Sequence, residues 1–287
     1  MSIDRRPLHS PAPGSTAGGA VPRPCSSRGA RCGSVSVPAA RSTPGQRWWR
    51  GLATLALAGP LLSLPAAAAP AAGGGVTITS YGHSALLIQG GGARVLLNPF
   101  QAVGCAAGLS EPRVSADVIL ASSQLRDEGA PVASGRFLVK PGSYRVAGLA
   151  IEGFSTPHDR VGGRRFGLST LWRWRQGGLE FAHLGGTAGP ISAEERVLIG
   201  RPDVLVIGVG GGAKVYDGAE AAAVVRQLQA RRVIPVQTRS GGPTAGCDQG
   251  GVQPFLEAMD GAPVRRSGRS LTLVPPLSEG PVVELMR

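Results

Sequence analysis

The chain has 287 residues, a formal net charge of +12 at neutral pH and 42% hydrophobic residues. That composition excludes a wholly disordered chain, and only four cysteines exclude a miniature scaffold built from disulfides. The excess charge is carried by arginine, since Lys140 and Lys214 are the only lysines, and +7 of it falls in residues 1–50. Charge placed this way argues about solubility rather than fold, and it gives no case for a nucleic-acid partner.

Residues 1–50 are rich in Pro, Gly, Ser, Ala and Arg and show no hydrophobic period. Such a stretch buries too little apolar surface to offset its ordering entropy, so it reads as a disordered basic leader. Residues 51–72 read as a signal peptide. Arg47 and Arg50 precede an uncharged apolar run from Gly51 to Leu64, and small residues with Ala-x-Ala spacing follow from Ala66 to Ala72. The apolar run is short for a span and Pro60 interrupts it, so cleavage and export to a periplasm, lumen or exterior are expected. An uncleaved segment would make this same stretch a membrane anchor.

Residues 73–287 read as one α/β domain. The segment 76–89 alternates and is β-branched, giving a strand, a break and a second strand, and 93–100 gives a third that ends at Asn98-Pro99. The run "ADVIL" at 116–120 is a buried strand that empties into the polar segment "SSQLRDEG". Strands follow at 136–140, 144–156, 166–176 and 179–185, with Gly177-Gly178 as a two-residue hairpin turn. In "LWRWRQ" the period of two puts Trp172 and Trp174 on a core face and Arg173 and Arg175 in solvent. A strand at 203–208 ends in a glycine loop at 208–212, which has neither GxGxxG spacing nor a Lys-Ser/Thr pair, so a nucleotide site is rejected. A helix over 217–230 is capped by Asp217. A strand at 232–238, a short helix at 251–261 and two closing strands complete the chain. Many strands and few, late helices pack most naturally as a two-sheet sandwich with helices outside.

The succession "YGHSALLI", "LLNPF", "ADVIL" with its polar loop, "STPHDRVGG", "LEFAHLGG", "PDVLVIGVGGG" and "RRVIPVQT" resembles the metallo-β-lactamase-fold hydrolases over residues 76–240, in particular their lactonase-like and phosphodiesterase-like branch. The resemblance implies the αββα two-sheet sandwich of that family and a metal-dependent hydrolase. It also implies where the metal ligands belong. The family carries His-x-His-x-Asp-His after the "ADVIL" strand, and the matching positions here are Ser123, Leu125, Asp127 and Glu128. The family's His in "PHD" is kept as His158. Its bridging Asp matches Gly186, its last His matches Gln237, and its "DP" is Asn98-Pro99.

The family's dinuclear site uses five histidines and two aspartates, while the domain retains only His83, His158 and His183. A full two-zinc site cannot be assembled from these. Zinc needs about three protein ligands even in an open catalytic site. A reduced site would draw on Asp127, Glu128, His158 and His183 and hold one Zn, Mn or Fe ion, with Asp127, His158 and Asp159 as the catalytic set. His83, Asn98, Ser123 and Gln237 would line its pocket. The reading is therefore a metallo-hydrolase-like protein that cleaves an ester or phosphoester through at most one metal. The alternative is a pseudoenzyme with no metal that keeps the fold to bind a small-molecule ligand or a partner. Cys105 and Cys247 follow the "NPF" turn and the last ligand position. They would brace the pocket rim as a disulfide, remain free buried thiols, or supply a Cys–His nucleophile.

Overall fold

The computed structural model describes residues 74–239 and 245–287. The leader and the signal-like segment lie outside the described residues. In chain order the strands β1 (Val76–Ser80), β2 (Leu86–Gly90), β3 (Ala93–Leu97), β4 (Ser115–Leu120) and β5 (Ser134–Leu138) come first. Then come β6 (Gly142–Val146), β7 (Leu149–Pro157), β8 (Leu168–Gln176) and β9 (Leu179–His183). Helix α1 (Ala193–Ile199), β10 (Val204–Gly208), α2 (Gly218–Leu228), β11 (Arg232–Val236) and α3 (Gln253–Ala258) follow, and β12 (Val264–Gly268), β13 (Ser270–Leu273) and β14 (Val282–Met286) close the chain.

These strands form the two sheets of a metallo-β-lactamase sandwich. The six-stranded sheet has the order β13-β1-β2-β3-β4-β5, and the eight-stranded sheet has the order β12-β14-β11-β10-β9-β8-β7-β6. The alternating apolar residues of both sheets meet between them. Ile88, Val95 and Leu120 face Trp172, Trp174, Phe181 and Val206 there. Strand β10 is buried at all five positions because it pairs in parallel on both sides and is covered on both faces. Its other face packs Leu205 and Ile207 against Ala221, Val225 and Phe255 of the helices. The outer face of the six-stranded sheet carries no helix among the described residues. Leu87, Leu96 and Ile119 are covered there by Tyr81, Val114, Ala133 and Phe137.

Local signals account for most elements. Asp217 accepts from the Glu220 amide and Glu220 returns the bond, a reciprocal cap that starts α2. Gly177 and Gly178 both have positive φ, at 57° and 83°, as the tight hairpin turn between β8 and β9 requires. A Cβ on Gly177 would also fall inside contact distance of the Gly75 carbonyl. Trp172 and Trp174 are buried, while Arg175 is exposed.

Two expectations are corrected, and two elements come in addition. The expected strand 144–156 is a hairpin, β6 and β7, turned by Ala147 and Gly148 at φ 50° and 76°. Alanine is an unusual occupant of that conformation, so no turn signal showed. Helix α1 and strand β12 were not anticipated. The helix is one short, capped segment of seven residues. The strand's Val-Arg-Arg-Ser-Gly sequence leaves its first three residues exposed, so it shows no core alternation. The helix expected at 251–261 spans only Gln253–Ala258.

Trp172 packs between the sheets and donates its indole N–H to the Ala121 carbonyl at 3.0 Å. Trp172→Ala is expected to lower unfolding free energy in urea by about 3–5 kcal/mol. Trp172→Phe should cost less, about 1–3 kcal/mol, because it keeps most of the volume but leaves a buried carbonyl unpaired. A loss under about 1 kcal/mol for the alanine variant would remove Trp172 from the core.

Candidate functional site

Strand ends converge at one edge of the sandwich. Asn98 follows β3, Ser122 and Ser123 follow β4, His158 follows β7, His183 ends β9, and Gln237 follows β11. Three site residues hold the left-handed backbone conformation, His83 at φ 49°, Asn98 at φ 38° and Gln237 at φ 54°. Non-glycine residues resist that conformation, so the surroundings must hold them. Asn98 shows how. Its side chain donates to Ser122 Oγ at 2.9 Å and accepts from the Ser122 amide at 2.8 Å. The Gln237 amide donates to the His83 carbonyl at 3.0 Å, which ties two of the strained residues together.

Glu128 occupies the centre and is fully buried. Its Oε1 accepts from Ser123 Oγ at 2.7 Å and lies 2.8 Å from His158 Nε2, although the imidazole N–H does not point along that line. Its Oε2 accepts from Gln237 Nε2 at 2.6 Å. Burial pushes the carboxyl pKa up, but the His158 contact, the Lys214 charge and the Ser123 hydroxyl outweigh it and hold it down at about 2. Glu128 is therefore ionised at neutral pH.

Asp127 faces a different partner. Lys214 Nζ lies 3.0 Å from both of its carboxylate oxygens, and both side chains are largely buried. Lys214 is delivered by the glycine loop after β10. Arg160 anchors that loop by donating to the Gly212 and Val215 carbonyls and pairing with Glu220. Asp159 turns away from the centre. It accepts from the amides of Val161 and Gly163 on one oxygen and of Arg165 and Phe166 on the other. Burial opposes its charge, but those four amides prevail and lower its pKa. Its observed role is to shape the 159–167 loop beside His158.

His183 and His83 are buried and neither imidazole has a hydrogen-bond partner. Burial lowers the His183 pKa to about 4 despite the pull of Glu128. Burial also lowers His83 to about 4, against Glu128 and Asp127 and with help from Lys214. Both are neutral at pH 7.

The candidate residues thus separate. The structure brings together Glu128, His158, Ser123 and Gln237, and it pairs Asp127 with Lys214. Among the described residues no three His, Cys, Asp or Glu side chains converge in the way a metal ion needs. The family's zinc does not fit this donor set. An ammonium occupies the carboxylate of Asp127, and the Glu128 carboxylate fills the space beside Gly186. A Cβ on Gly186 would lie 2.7 Å from His158 Nε2 and closer still to Glu128 Oε2. An aspartate at 186 therefore cannot be added while Glu128 keeps its place.

Cys105 and Cys247 form a disulfide across a sequence separation of 142. It ties the turn at Gly104–Ala106 to the loop after the last ligand position. A Cβ on Gly104 would sit 3.1 Å from Asp127 Oδ2, so the bridge holds backbone against the Asp127–Lys214 pair. Lys214 went unrecognised in the sequence. Its signal is composition, because a chain that uses arginine almost everywhere places a lysine beside a glycine loop.

Acid should weaken the fold in two steps. His83 and His183 have folded pKa values below the unfolded one, so the unfolded chain binds protons first as pH falls. Their contribution is complete above about pH 6.5 and is lost toward pH 4, on the order of 2–3 kcal/mol each. Glu128 also titrates below its unfolded value, and its contribution disappears between about pH 4.5 and 2. Urea unfolding from pH 7.5 to about 2 checks this, and His183→Gln should flatten the upper step. A flat profile between pH 6.5 and 4.5 would contradict the neutral buried histidines. Gly186→Ala should cost about 1–3 kcal/mol through overpacking and couple to Glu128→Ala by about 1 kcal/mol or more in a double-mutant cycle. Strict additivity would mean that Glu128 does not fill that space.

With this geometry in view, the comparisons assign the chain. Residues 77–237 match the model of the β-lactamase superfamily domain. A structure described as a Zn-dependent hydrolase of the metallo-β-lactamase superfamily from Thermotoga maritima is 25% identical, with a TM-score of 0.59, covering 74% of this chain and 100% of that one. A metallo hydrolase from the archaeon Ignicoccus hospitalis is 16% identical with a TM-score of 0.51, covering 69% and 98% of the two chains. A metal-dependent hydrolase from Parabacteroides distasonis is 14% identical with a TM-score of 0.50, covering 65% and 89%. The last two speak to the fold alone. No curated protein matches. The chain belongs to the metallo-β-lactamase superfamily, whose sandwich it adopts.

Proposed function

We propose that this chain is a ligand-binding member of the superfamily that works without a metal ion. The observation that carries the reading is the pair of internal substitutes for metal charge and metal space. Lys214 grips both oxygens of Asp127, and Glu128 is bound by Ser123 and Gln237 beside His158. Neither carboxylate offers a free lone-pair set without breaking a buried ion pair or a buried hydrogen bond, and either loss is costly. Proton-transfer chemistry is also poorly served. A base with a pKa of about 2 abstracts protons weakly at neutral pH, so Ser123 has no effective activator.

The competing reading is hydrolysis of an ester or phosphoester at a single metal ion. It rests on the unpartnered His83 and His183 imidazoles and on likeness to a chain described as a Zn-dependent hydrolase. The Cys105–Cys247 disulfide supports a further part of the proposal, that the domain works in an oxidising compartment after export.

Elemental analysis of protein purified without chelator or affinity metal tests the main reading. Well under about 0.2 equivalents of zinc, manganese or iron is expected in folded protein, against the one ion of a minimal site. Near one equivalent, lost on His158→Ala, would establish the competing reading. A reconstructed variant gives the positive control. Ser123→His, Leu125→His, Glu128→His, Gly186→Asp and Gln237→His, with Lys214→Ala, should gain tight zinc binding. Zinc retained equally by the native chain would defeat the proposal.

A further inference from the structure

We infer that the open depression over Lys214 is an anion site for a carboxylate or phosphate carried on an apolar or aromatic body. The inference rests on the metal-free reading, since a bound zinc ion would itself draw the anion. The depression has a volume of about 630 Å³, and its lining includes Arg126, Arg165, Lys214, Asp127, Leu125 and Phe166. That volume is ordinary for a small-molecule site.

The charge balance decides the ligand's sign, because Arg126, Arg165 and Lys214 in the lining outnumber the carboxylates of Asp127 and Asp248. Asp127 is already neutralised by Lys214 through both oxygens. Asp248, the other carboxylate on the rim, accepts the Ala213 amide at 2.7 Å and braces the glycine loop. Arg126 and Arg165 have no carboxylate partner among the described residues, and both are exposed. Arg126 spends its Nε on the Gln101 side-chain oxygen, which leaves the two terminal nitrogens of the fork. Arg165 lies with its guanidinium 4.9 Å from the Phe166 ring centroid, a stacking that limits its swing without using its donors. Two guanidinium groups that retain free donors match the planar or tetrahedral oxygens of a carboxylate or phosphate.

The body of the ligand is indicated by the floor. Leu125 and Phe166 line this depression and also a neighbouring one of about 440 Å³, which continues past Val139 and Leu168 to the hydroxyls of Ser169 and Thr170. An anion seated between the arginines would lay its apolar part over the Leu125–Phe166 wall. The Cys105–Cys247 disulfide also belongs to the lining and fixes that part of it.

Isothermal titration of phenyl phosphate and of inorganic phosphate into the full chain, treated with chelator and dialysed at low salt, tests the site. One equivalent of phenyl phosphate should bind, more tightly than inorganic phosphate. Arg126→Ala and Arg165→Ala should each weaken it at least five-fold, and Arg145→Ala, an exposed arginine on β6, should leave it unchanged. Benzoate should compete. No binding by folded protein at millimolar ligand, or equal binding by the Arg126 and Arg165 variants, overturns the anion site and leaves the metal-free reading standing. Binding that appears only after zinc is restored overturns both.

Discussion

The site depends on one buried carboxylate. Glu128 is fully excluded from solvent, and an isolated charge in that position would be prohibitive. It is tolerated because three strand ends supply partners. Ser123 comes from the end of β4 in the six-stranded sheet. His158 and Gln237 come from the ends of β7 and β11 in the eight-stranded sheet. The network therefore joins the two sheets at the edge where the apolar core stops. A metal ion performs that joining in a metalloenzyme by collecting ligands from several strands. Hydrogen bonds to the Glu128 carboxylate join the strand ends here, and the second charge, Asp127, is held by Lys214.

The backbone around Glu128 fits this account. His83, Asn98 and Gln237 all take positive φ, and each is held from outside itself. Asn98 is clamped by Ser122, and Gln237 by His83 and Glu128. Strain of this kind survives only where neighbours over-determine it. Close backbone approach does the rest. Gly208 must lack a Cβ because Gln237 Oε1 occupies that volume, and Gly186 must lack one because Glu128 does. The two glycines and the two polar side chains form matched pairs. Changing one member alone meets a steric obstacle, so the four residues form a coupled set.

Much of this fold was legible because its signals are local. The capping box at Asp217, the Gly177-Gly178 turn and the alternation of Trp172 and Trp174 each act over a few residues and were readable without neighbours. The hairpin at Ala147–Gly148 was not, because alanine there is a tertiary choice rather than a turn preference. Strand β12 was hidden because its exposed arginines carry no core pattern. The site divides in the same way. The resemblance pointed to strand ends, and the structure places Ser123, Glu128, His158 and Gln237 together there. The pairing was not visible. Asp127 looked like a ligand because its neighbours in sequence suggested one. Lys214, 87 residues later, defines its chemistry. Asp159 looked like a catalytic neighbour of His158, but four backbone amides within seven residues claim both of its oxygens.

The placement of charge is what favours the proposed anion binding over activation of water. A nucleophile needs a base whose pKa lies near the working pH. Three buried groups at the centre have been driven away from that range. Glu128 is held at about 2, and His83 and His183 at about 4. The same burial that stills proton transfer keeps Lys214 and Asp127 locked together and leaves the mouth charge to Arg126 and Arg165. The interior is thus fixed by internal pairs, and the cationic part of the field that a diffusing molecule meets comes from the two guanidinium groups of the lining. Such a division, an internally paired interior beside two guanidinium groups without carboxylate partners, is the arrangement on which the proposed binding role rests.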